Sequence, residues 1–194
     1  MKKLLKFAGL LLIAGALFTA CSTEPNIVTD KFDLSDGNWK FVSQSSQSYK
    51  SSDGKIQNMS EKEDVTVTIA GGVITPTAIV TSASQSMTYP EGTDQSVIDA
   101  EKAKAEKYKE EGDTVTVNGT TITLTYAPVE NDPKALAEFK KDSPTVEAFN
   151  SDIPEGMVIK SNKKKTEYTF SYTEEETISG YTYTVSVTGS IKKL

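Results

Sequence analysis

Few kinds of side chain in this 194-residue chain can do chemistry: a single Cys, at position 21, and Asp, Glu, Lys, Tyr, Ser and Thr, with no His and no Arg. Without His the chain lacks the group whose ordinary pKa suits proton transfer near neutrality, so Ser-His-Asp and Cys-His sites are excluded. Without Arg it has no planar fork for bidentate recognition of phosphate or carboxylate. Zinc sites built from His and Cys fall with them, and only an all-oxygen calcium site stays chemically open. One thiol cannot close a disulfide within the chain. The run Glu174 to Glu176 reads as surface near a turn, not as a metal site, and no spacing singles out a catalytic pair of carboxylates. The expectation is a protein that is not an enzyme and carries no cofactor or metal.

What Cys21 does follows from the residues before it. Lys2, Lys3 and Lys6 precede an apolar run from Phe7 to Phe18, and the small residues Thr19 and Ala20 follow. That layout reads as an export signal over residues 1–20, not a spanning helix, which needs about 20 apolar residues. The join Leu17-Phe18-Thr19-Ala20-Cys21 resembles the lipobox of bacterial lipoproteins, with Phe18 where that family more often has Leu. The resemblance implies a diacylglyceryl group on the Cys21 thiol and an acylated new N-terminus, hence a membrane as partner. Position 22 is Ser, not the Asp that accompanies inner-membrane retention in that family, so the expected address is the outer membrane or cell surface.

The whole chain carries 21 lysines against 27 acidic residues, a balance of −6. Loss of Lys2, Lys3 and Lys6 with the signal takes the mature chain to −9. Such a balance argues against nucleic acid as a partner, because that affinity rests largely on neutralising phosphates.

The elements that must position the remaining side chains read as mostly β. Residues 21–37 are polar and turn-rich, a lipidated Cys and flexible tether, and the domain is expected over residues 38–194. Trp39 and Phe41 alternate with polar residues in a half-buried first strand that continues weakly towards Tyr49. A two-residue loop at Gly71-Gly72 sets Ile69 opposite Ile74, Val67 opposite Pro76 and Val65 opposite Ala78, with an edge or bulge near Pro76. Asn118-Gly119 predicts a second hairpin pairing Val115 with Ile122, and Ser179-Gly180 a third that joins two Tyr/Val/Thr-rich strands. Helical insertions are expected near residues 94–111 and 132–150. Asp132 caps the second ahead of Pro133, and Ser143-Pro144 repeats that cap for a short turn to Asn150. Closing the strands into an antiparallel up-and-down barrel of about eight would remove their unpaired edges; a sandwich is the competing architecture.

Gly37-Asn38-Trp39, leading into the first strand, resembles the Gly-x-Trp signature of lipocalins; the family's Thr-Asp-Tyr signature is not found in this chain. The resemblance implies a lipocalin-like barrel over roughly residues 35–194. In that family the Trp packs across the closed end under a basic residue of the last strand, a place Lys192 or Lys193 would take by a cation-π contact. Inward Phe170, Tyr172, Tyr183 and Val185 would then line a cavity for a small hydrophobic ligand, or simply fill it. Lys163 to Lys165 and Lys192 to Lys193 should meet at one end of the last hairpin, as a solvated rim or a face for anionic headgroups. The expectation is an anchored binding module for a small hydrophobic ligand. The other reading is a structural or interaction lipoprotein with a packed barrel.

Overall fold

A computed structural model of the chain describes residues 27–178 and 181–194. Cys21 and residues 1–20, read as an export signal, lie outside the described residues. Ten strands and three helices follow in the order β1 (Ile27–Thr29), β2 (Gly37–Lys50), β3 (Ile56–Ala70), β4 (Val73–Thr88), α1 (Gln95–Tyr108), β5 (Thr114–Asn118), β6 (Thr121–Thr125), β7 (Val129–Glu130), α2 (Pro133–Asp142), α3 (Val146–Ser151), β8 (Val158–Ser161), β9 (Glu167–Ile178) and β10 (Tyr181–Lys193). The strands form one sheet in the order β1-β8-β9-β10-β2-β3-β4-β6-β5, with β7 also on β4, and every pair is antiparallel.

The fold is mainly β, but the sheet is not closed, and among the described residues it has ten strands rather than about eight. The long strands do form a meander whose last member, β10, returns to pair with β2 along its length. Closure fails on the other side, where the chain turns helical. Part of the edge of β4 is taken by the backbone around α2 and α3: Ile74 N–H donates to Pro144 O at 3.0 Å, Val146 N–H to Gly72 O at 2.9 Å and Asn131 N–H to Ile79 O at 2.7 Å. These helices insert Phe139 and Phe149 against Phe41, with ring centroids 6.1 and 5.4 Å away.

The first hairpin keeps its predicted register at Ile69–Ile74 and Val67–Pro76, and then slips. Thr77 is an extra residue in β4, its hydroxyl donating to Thr66 O, so Val65 meets Ile79 and not Ala78. The bulge sits beside the proline, which has no N–H for the ladder, and it returns the larger Ile79 to the inner side. At the second hairpin the predicted pairing of Val115 with Ile122 is corrected to Val117 with Ile122. Asn118 pairs with Thr121, so the loop is Gly119-Thr120, and Gly119 at φ +59° takes the first central place of a II′-like turn. Ile178 pairs with Tyr181, which joins β9 and β10 across residues 179–180, outside the described residues.

Within the stretch read as a tether, residues 27–37 belong to the fold. β1 pairs with β8, and Phe32 and Leu34 are buried. The Phe32 ring lies 5.3 Å from Phe149, 5.5 Å from Tyr168 and 5.7 Å from Phe170. Two apolar residues among Asp, Ser and Lys suffice because each has a hydrophobic site waiting for it. Both helical insertions form, the second as two helices. Thr145, not Ser143, caps α3, its hydroxyl accepting from Ala148 N–H at 3.1 Å.

Candidate functional site

One face of the sheet carries Trp39, Phe41, Val65, Ile79, Ile191 and Tyr168 and receives α2 and α3; we call it the inner face. Alternation along each strand and the observed registers lay it out in rows. Tyr168, Ile191, Phe41, Val65 and Ile79 form one row across five strands. The next is Phe170, Gly189, Ser43, Glu63 and Thr81, and the one after it Tyr172, Val187, Ser45, Glu61 and Ala83. The apolar core is thus interrupted: a large cluster built on Trp39, Phe41 and Tyr168 lies at one end, and a small one of Tyr89, Ile98 and Ile122 at the other.

Over β2, β3 and β4 the rows between them hold Ser43, Ser45, Glu61, Glu63, Thr81 and Ala83, and a depression of about 230 Å³ opens over β3 and β4. Glu61 to Glu63, Thr81 to Ala83, Tyr126, Ala127 and Val129 line it. Among the described residues no hydrogen bond or ion pair holds the carboxyl of Glu61 or Glu63. Burial, reinforced by the charge of Glu61 two residues away, pushes Glu63 up to about 8. Burial also raises Glu61. At neutral pH this side of the trough therefore offers a protonated, hydrogen-bonding Glu63 beside apolar walls.

The four side chains expected to line a cavity share this face. Phe170 is buried in the large cluster, its ring over Gly189, where a Cβ would collide with it. Tyr172 is half-buried and donates from its hydroxyl to Glu174 at 2.8 Å. Val185 packs at the margin of the large cluster, whereas Tyr183 stands beyond it and is 38% exposed. Glu61 and Glu63 were not expected here, since Ser60-Glu61-Lys62-Glu63-Asp64 reads as a charged surface run. The signal lay in the alternation: carrying the Ile69, Val67, Val65 series back two more steps places both glutamates on the inner face.

Gly37 and Trp39 are organised with the end of β10. Trp39 is fully buried, its Nε1–H donates to Ser35 O at 2.8 Å, and Lys193 Nζ lies 5.6 Å from its ring centroid. The Lys193 stem crosses Gly37, which sits at φ +131°, and its ammonium donates to Ser35 Oγ at 2.8 Å. Glycine fits this place twice over, by its positive φ and by the close approach of Lys193. Compared with protein families and with curated proteins, the chain matches none.

Proposed function

We propose that this chain is an exported lipoprotein, held at the outer membrane or cell surface through acylated Cys21, whose domain binds one small ligand with an apolar body and a hydrogen-bonding head. The observation that carries the reading is the depression between the two apolar clusters, where β3 and β4 present Glu61, Glu63, Thr81 and Ala83 and no hydrogen bond or ion pair holds either carboxyl among the described residues. A solidly packed domain would place large apolar side chains there, because interiors reach crystal-like density. The head group would meet Glu63 and Glu61, and Tyr126 and Val129 would flank the body. A divergent lipocalin-like origin is supported by Gly37 and Trp39, by Lys193 over the indole and by the pairing of the last long strand with the first. In this reading the sheet is a barrel opened on one side, with α2 and α3 in the gap.

A second reading, a packed interaction lipoprotein with no ligand, is favoured by Phe170 over Gly189. The depression is also smaller than the roughly 300–1,000 Å³ of ordinary ligand sites.

The test is native mass spectrometry of the Cys21→Ser chain exported from its host and purified without detergent. Its organic extract is analysed alongside a second variant carrying Ala83→Phe, at a residue that lines the depression. The Cys21→Ser chain should leave the membrane fraction and carry a stoichiometric small molecule, which Ala83→Phe excludes. A bare mass in both variants would give the second reading.

A further inference from the structure

One end of the sheet gathers lysines in a chain that is acidic overall. Ile27, where the described chain enters the fold, pairs with Ser161 at the end of β8, so it enters at the end capped by the turn over residues 162–166. That turn carries Lys163 and Lys164, both exposed, and Lys165, whose ammonium lies 2.7 Å from Asp33. Lys192 and Lys193 close β10 beside it, for Lys193 N–H donates to Thr166 O at 2.8 Å. Asp33 neutralises Lys165, and Glu167 stands opposite Lys192 in register. Among the described residues Lys160, Lys163, Lys164 and Lys193 hold no carboxylate.

We propose that this lysine end docks on an anionic bilayer surface, which orients the domain with α1 and the Tyr89 cluster pointing away from the membrane. The inference rests on the lipid attachment at Cys21. Only residues 22–26 separate that Cys from Ile27, and even fully extended such a link reaches no more than about 20 Å. The anchor therefore keeps the end of the sheet at which the chain enters close to the headgroups. Lysine ammoniums there meet lipid phosphates as counter-charges, an attraction that fades within a Debye length of about 8 Å at physiological salt.

The test reconstitutes the lipidated chain on vesicles of phosphatidylcholine alone and on vesicles in which a third of the lipid is phosphatidylglycerol, and follows acylation of each lysine by mass spectrometry. Lys163 and Lys164 should react several-fold more slowly on the anionic vesicles, with Lys102 of α1 unchanged and the difference erased by high salt. Equal rates for Lys163 and Lys164 on both vesicles would overturn the proposal. Failure to float with neutral vesicles would instead overturn the Cys21 reading. The lysine end is then judged by flotation with anionic vesicles alone: retention that Lys163→Gln/Lys164→Gln abolishes supports it, and absence of retention refutes it.

Discussion

Glu63 carries a carboxyl that titrates near 8 in the folded chain, against 4.5 for the free side chain, because burial and the neighbouring Glu61 both disfavour its charge. Between those two values the folded chain binds more proton than the unfolded one, so stability falls as pH rises across that window. The full separation would be worth nearly 5 kcal/mol, and access of water from the depression reduces this to the order of 1–3 kcal/mol. Glu63→Gln should therefore raise the midpoint of thermal unfolding near pH 9, change it little near pH 5 and flatten the slope between, as followed by circular dichroism. A variant whose melting runs parallel to the parent at every pH would show that Glu63 ionises normally. The residue hid in the sequence because five consecutive polar and charged side chains look like solvent-facing surface. For Trp39 the lipocalin resemblance offered Lys192 or Lys193 as the cation over the indole, and the register that sets Lys193 opposite Trp39 selects between them.

At the scale of elements, the strands were readable from alternation, and what eluded reading was set by tertiary contact. Ser143-Pro144 has the form of a cap followed by proline at the first helical position. The carbonyl of Pro144 is instead drawn to Ile74 N–H at the edge of β4, and the helix begins two residues later under Thr145. Ser143 is left at the end of α2, wholly buried, with a hydroxyl that has no hydrogen-bond partner among the described residues. The two residues should thus respond in opposite ways. Thr145→Ala should cost about 1 kcal/mol in urea unfolding through loss of the cap. Ser143→Ala should be neutral or stabilising by up to about 1 kcal/mol, since an unsatisfied buried hydroxyl is removed. Equal losses from both would mean that the Ser143 hydroxyl has a partner after all. The same contest explains the hairpins: Gly71-Gly72 fixed its register at the turn, but the slip at Thr77 depends on which side chain fills the space beside Val65.

At the scale of the molecule, the sequence pattern announced a β domain with helical insertions and led to the expectation of a closed barrel, because unpaired edges are costly. Whether a helix crosses a barrel end or wedges into its wall is not written in periodicity; it depends on Phe139 and Phe149 finding Phe41 across the sheet. The consequence is a molecule with two apolar clusters of very different size, joined by long strands whose middle rows are polar on β2 and β3. The large cluster counts sixteen buried residues and the small one three, Tyr89, Ile98 and Ile122. Local opening is easiest where few apolar contacts are lost, so α1, β5 and β6 should open at a lower free energy than the strands through Trp39 and Phe41. Hydrogen exchange followed by mass spectrometry should show peptides from residues 95–125 exchanging well before those from residues 37–45 and 185–193. Such an opening would widen access to the trough over Glu61 and Glu63 from the end away from the lysine turn, the route the proposed ligand would take in the proposed orientation. Simultaneous exchange of both regions would instead make the sheet a single cooperative unit, with entry confined to the open side over β4.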